Sequence, residues 1–180
     1  MKYVFRLGMA TAVFLMSFSN AAFAEEFVGI VKSLKGLRVA CYYGGALVRR
    51  PEVTGVADYE NPRFMEDLVE QLGGTPVEWS YKTDCCGADL ALTHGSMVVE
   101  MVDRIVGAAV EADADCMMCS CGLCQINVEM RQSGEKEAKL PMFYFSELIG
   151  TAMDLPGQKK WWKKHLVDPR PILSKRGLMS

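Results

Sequence analysis

Hydrophobic positions in this chain alternate between short continuous runs and stripes at helical spacing. Residues 37–43 are apolar and β-prone and are followed by Gly44-Gly45, which predicts a buried first strand. A loop rich in Pro, Gly and Asp is expected next. Asn61-Pro62 then supplies an N-cap and a first-turn proline for a helix with Phe64, Met65, Leu68, Val69 and Leu72 on one face and Gly73 past its end. Residues 76–79 read as a short second strand leading into Cys85-Cys86-Gly87. Over 96–113, Val98, Met101, Val102, Ile105 and Ala109 mark an amphipathic helix. Residues 115–119 form a third strand that runs into Cys121-Gly122-Leu123-Cys124. Leu123, Ile126 and Met130 recur at helical spacing, so a helix is predicted from about Gly122, its positive end beside Cys121 and Cys124. A last strand at 142–145 and a short helix at 146–153 complete the pattern.

Strand and helix alternate throughout, which predicts an α/β protein with a parallel sheet covered by helices on both faces. The cysteine-bearing loops then fall at the carboxyl ends of the strands. Open α/β sheets bind ligands there, so a single site built from three loops is expected.

Composition narrows the partners. At 180 residues, half of them hydrophobic and with a net charge of −2, the chain shows neither the signature of disorder nor a nucleic-acid surface. Its first 24 residues differ from the rest: Lys2 and Arg6 flank the start, 7–18 are apolar, and Ala22-Phe23-Ala24 precedes Glu25-Glu26. This is the layout of a secretory signal peptide, so residues 1–24 are expected to be a leader and 25–180 a single cysteine-rich domain without a transmembrane segment. Export would deliver thiols to an oxidising compartment, where disulfides are favoured. The basic and aromatic tail Lys159-Lys160-Trp161-Trp162-Lys163-Lys164 is expected to be a solvated helix that packs its two Trp on the domain, in preference to the alternative of a membrane-surface segment.

Seven cysteines carry the candidate chemistry: Cys41, the pair Cys85-Cys86, and Cys116, Cys119, Cys121 and Cys124. A vicinal pair cannot easily close on itself, because its Cα atoms lie ~3.8 Å apart, below the usual disulfide range. Together with a Cys-x-x-Cys, it can instead direct several sulfurs at one metal group. Cys85, Cys86, Cys121 and Cys124 are therefore the candidate ligands, with Cys119 or Cys41 completing or flanking them. Cys41 and Cys116 stand inside apolar strands, where a free thiol is usually a small buried hydrophobe. His94 and His165 have no partner at metal-ligand spacing, and the acidic residues show no paired arrangement that suggests hydrolysis.

The order Tyr42-Tyr43-Gly44, Glu60-Asn61-Pro62, Met65-Glu66, Cys85-Cys86-Gly87-Ala88, Ala114-Asp115 and Cys121-x-x-Cys124 resembles the cysteine-rich CCG domain of the heterodisulfide reductase B-type family. The resemblance runs from about Ser33 to Asp168-Pro169-Arg170-Pro171, and 34 residues separate Cys86 from Cys121 as that pattern requires. It implies an electron-transfer subunit that holds a noncubane 4Fe-4S iron-sulfur cluster for disulfide reduction, works with A-type and C-type partners of the reductase, and carries out its chemistry in the cytoplasm. Gly45 stands where that family has its leading cysteine, and one module is present where complete members carry two. Four thiolates also suit tetrahedral zinc, so the alternative is a zinc- or thiol-binding module that supports a partner without redox turnover.

Overall fold

A computed structural model describes residues 32–48, 51–56, 58–134 and 139–179. The leader expected at 1–24 lies outside the described residues. Within them, four strands form one all-parallel sheet in the order β2-β1-β3-β4, with β1 at Arg38–Tyr42, β2 at Thr75–Pro76, β3 at Cys116–Cys119 and β4 at Met142–Tyr144. Val39 pairs with Cys116 and Tyr42 with Cys119, while Met118 pairs with Phe143.

Eight α-helices among the described residues surround this sheet: α1 Gly44–Val48, α2 Pro51–Thr54, α3 Phe64–Gln71, α4 Gly95–Glu111, α5 Gly122–Arg131, α6 Phe145–Ala152, α7 Gln158–Trp162 and α8 Arg170–Lys175. Strand alternation divides the core in two. Val39, Cys41, Tyr43, Cys116, Met118 and Phe143 face Met65, Val69 and Leu72 of the α3 segment, Leu148 of α6, Trp162 and Leu173. Ala40, Tyr42, Met117, Cys119 and Met142 face Val98, Val102, Ile105 and Ala109 of α4 and Val128 of α5. Both faces are thus covered by helices, the arrangement that parallel sheets require.

Several local expectations need correction. β1 ends at Tyr42, and Gly44, with a φ of +63°, opens α1, so that α1 and α2 replace the loop expected after the strand. The N-terminus of α3 falls at Arg63 without a side-chain cap, and not at Asn61. The Pro62 carbonyl accepts instead from the buried Lys82 ammonium at 3.0 Å. The second strand is shorter and earlier than residues 76–79. After Pro76, which has no N–H, a single bond from Val77 N to the Val39 carbonyl precedes departure from the sheet.

In the tail, Trp162 is buried in the core and Trp161 packs against Gly150 of α6. Asp115 fixes the start of β3, accepting at 2.8 Å from Arg38 N and from the Arg176 guanidinium. No helix among the described residues is long and apolar enough to cross a membrane.

Candidate metal centre

The chain reverses its direction of travel across the sheet between β1 and β3, and the loops that leave the carboxyl ends there converge. Tyr42, the last residue of β1, sits beneath them with its side chain on the α4–α5 face. Its hydroxyl donates to the Asp84 carbonyl at 2.6 Å and so holds the loop bearing Cys85 and Cys86. Across from that loop, Cys121 precedes α5 in extended conformation and Cys124 stands in the first turn.

Cys86 Sγ lies 3.6 Å from Cys124 Sγ, although the two residues are 38 apart in sequence. Backbone donors meet the other two sulfurs: Gly87 N reaches Cys85 Sγ and Cys124 N reaches Cys121 Sγ, each at 3.4 Å. Gly87 has a φ of +73°, which favours glycine, and a side chain there would strike Met101. Gly44 supplies a second close approach, since a Cβ on it would stand 3.5 Å from Cys124 Sγ.

The electrostatics are uneven. A hydrogen bond from Cys124 holds Cys86 down to about 6, and the Ala88 N–H, Asn127 and Tyr42 add to this against the cost of burial. Its partner moves the other way: the hydrogen bond to Cys86, followed by burial, raises Cys124. The pair therefore favours one thiolate bound to one thiol. Burial, with the charges of Cys86, Cys124 and Cys85 behind it, keeps Tyr42 protonated and so a donor.

The structure sorts the remaining thiols. Cys119 is on the same face as Cys86 at the end of β3; its thiol donates to the Cys121 carbonyl at 3.5 Å, and burial pushes it up to about 12. Cys41 and Cys116 lie on the opposite face, fully buried in one apolar cluster, and burial raises both. Among the described residues, no three Cys, His, Asp or Glu side chains converge tightly enough to surround a single ion.

Asn127, Glu129 and Glu147, which the sequence did not single out, add polar ties around the centre and at the sheet edge. Asn127 of α5 is buried, and its Nδ2 donates to the Cys86 carbonyl at 2.8 Å, tying the two cysteine loops together. At the β4 edge, His165 is clasped between two carboxylates, with Nδ1 2.7 Å from Glu129 Oε1 and Nε2 3.2 Å from Glu147 Oε1. Two carboxylates from separate elements thus meet around a histidine for which local spacing offered no partner. Burial opposes the charge on His165, but the hydrogen bonds to Glu129 and Glu147 outweigh it and raise its pKa to about 9. Glu129 also accepts from Met142 N and Leu166 N, each at 2.9 Å. This saturated clasp ties the tail to the sheet edge.

Fold and site together define a parallel α/β protein with a cysteine centre at the carboxyl ends of its strands. No protein-family model matches the chain. It is similar, at 26% identity over 144 residues, to the 8-methylmenaquinol:fumarate reductase membrane anchor subunit of Wolinella succinogenes, the match covering 77% of this chain and 51% of that protein. The B-type component of the ferredoxin:CoB-CoM heterodisulfide reductase of Methanosarcina mazei is 28% identical over 124 residues, covering 65% of this chain and 41% of that protein. The B-type component of the ferredoxin/F(420)H(2)-dependent CoB-CoM heterodisulfide reductase of Methanosarcina acetivorans is 26% identical over 136 residues, 72% of this chain and 45% of that one. The chain thus spans about half the length of the curated relatives it matches.

Proposed function

We propose that this chain is an electron-transfer subunit of a heterodisulfide-reductase-like complex, in which Cys85, Cys86, Cys121 and Cys124 hold an iron-sulfur cluster of the noncubane 4Fe-4S type. The observation that carries this reading is the 3.6 Å approach of Cys86 Sγ to Cys124 Sγ from two separate loops. A lone zinc ion would demand four sulfurs about 2.3 Å from one point. A cluster takes its thiolates on several irons, so the sulfurs need not share one centre. Such a cluster, when bound, would pass electrons singly to a disulfide substrate.

The protein's own residues would position and shield that group. Tyr42 and Asn127 fix the loop of Cys85 and Cys86, and the Gly87 and Cys124 N–H groups offset negative charge on sulfur. A-type and C-type components of the reductase are the partners this reading requires.

A second reading, a zinc- or thiol-binding module without redox turnover, draws support from Gly45, which stands where the resembling family has a cysteine. Anaerobic reconstitution followed by iron and acid-labile sulfide determination separates the two. The electron-transfer reading expects iron and sulfide in near-equal amounts, with visible absorption. Stoichiometric zinc without a chromophore would select the second reading. Gly45→Cys is expected to raise iron retention; unchanged iron would mean that the site does not use this position.

A further inference from the structure

Cys124 and Cys86 differ in access to solvent. Cys124 is half-buried in the first turn of α5, whereas Cys86 is only 3% exposed, and their sulfurs stand 3.6 Å apart. One sulfur reachable from solvent with a second buried in contact with it is the arrangement in which an oxidised thiol is resolved by its neighbour. A disulfide needs the two sulfurs at about 2.05 Å, a closure of roughly 1.5 Å.

Side-chain rotation suffices for that closure. The backbone on the Cys86 side is held by the Tyr42 hydroxyl on the Asp84 carbonyl and by Asn127 Nδ2 on the Cys86 carbonyl. Cys124 is fixed by the helix it belongs to. Gly44, on which a Cβ would stand 3.5 Å from Cys124 Sγ, leaves that side of the sulfur clear.

The remaining thiols are placed less well for bonding. Cys85 and Cys86 are vicinal, with Cα atoms ~3.8 Å apart, below the usual disulfide range. Cys85 Sγ accepts from Gly87 N, and Cys121 Sγ accepts from Cys124 N as the cap of α5. Cys119 donates to the Cys121 carbonyl. On the far face, Cys116 pairs with Val39, two residues before Cys41. That offset puts the Cα atoms of Cys41 and Cys116 roughly 8 Å apart, beyond disulfide range.

We propose that Cys86 and Cys124 form a peroxide-sensitive redox pair in the metal-free chain, closing to a disulfide that shuts the centre to metal. Cys124 Sγ attacks one peroxide oxygen, the O–O bond breaks, and a sulfenic acid and water result. Cys86 Sγ then attacks Cys124 Sγ, the S–O bond breaks, and a second water leaves. Two thiols and one peroxide thus give one disulfide and two waters, with two electrons passing from sulfur to oxygen. When the pair starts with a single proton, solvent supplies the other. The disulfide joins the Cys85-Cys86 loop to α5 and withdraws two of the four thiolates assigned to metal. That consequence rests on the functional reading above; the cross-link itself does not.

Peptide mapping tests the cross-link before any metal is added. Metal-free full chain is reduced, freed of reductant, treated with stoichiometric hydrogen peroxide, unfolded, alkylated and analysed by tandem mass spectrometry. The expected result is a Cys86–Cys124 linkage that consumes two of the seven thiols and is reversed by dithiothreitol. Cys86→Ser should leave Cys124 as a sulfenic acid trapped by dimedone, and Cys124→Ser should leave Cys86 unlinked. Absence of the linkage in wild type, or linkage of Cys124 to Cys121 in its place, would overturn the proposal. Iron uptake on anaerobic reconstitution without reductant is then compared for the oxidised chain and for the same sample after reduction. About tenfold lower uptake before reduction is expected, because metal binding needs free thiolates. Equal uptake by both would overturn the closing of the centre. Absence of iron even from the reduced sample would refute the metal reading and leave the mapped cross-link standing.

Discussion

The two faces of the sheet put the same side chain to opposite uses. On the α3 face, Cys41 and Cys116 are fully buried, raised by burial, and surrounded by Val39, Met118 and Phe143. On the α4–α5 face, Cys86 and Cys124 meet at 3.6 Å, with N–H and O–H donors around them. Position within a strand, as against position in the loop that leaves it, decides which thiol is core and which is available. The α3 face uses its buried polar cluster for packing: Glu66 accepts from the Tyr43 hydroxyl and pairs with Lys82 at 3.2 Å, all three being buried. Stability and metal binding should therefore respond to different substitutions.

Breaking the buried pair gives the largest effect on stability. Glu66→Leu leaves the Lys82 ammonium without its carboxylate and is expected to cost about 3–5 kcal/mol in denaturant unfolding. Loss of less than about 1 kcal/mol would mean that water replaces the carboxylate around Lys82.

Next in size is the clasp of His165 at the β4 edge. Its pKa is about 9 in the fold against an ordinary value of 6.5, so its contribution is complete below about 6.5 and disappears as pH rises through about 9. Wild-type protein should lose on the order of 2 kcal/mol between about pH 7 and 10, and His165→Gln should lack that component of the pH dependence. An equal decline in both proteins would remove the clasp from the account.

The smallest effect belongs to the core thiols. Cys41→Val nearly conserves volume and should change stability by less than about 1.5 kcal/mol, with no change in bound metal. A loss of metal in this variant would erase the distinction between the faces.

Much of this arrangement was legible in the sequence because it is local. Runs and stripes of apolar residues gave the order of strands and helices, and the parallel sheet followed from their alternation. The convergence of the loops of Cys86 and Cys121 followed in turn from the rule that strand ends line the site. What was hidden depends on partners far apart in the chain. Asn127 and Glu129 look like the solvent face of α5 until their acceptor and donors are known, at Cys86 in one case and at Met142 and His165 in the other. Once these polar groups turn inward, Leu123, Ile126 and Met130 must turn outward. Gly44-Gly45 marks the end of β1 correctly, but a glycine pair says nothing about whether a loop or a helix follows.

The separation of the two faces is tested most directly by iron content after anaerobic reconstitution of three proteins: wild type, Cys124→Ala and Cys41→Ala. The account predicts that wild type and Cys41→Ala retain equal iron and sulfide, while Cys124→Ala loses most of both. Equal iron in all three, or loss in Cys41→Ala alone, would contradict it.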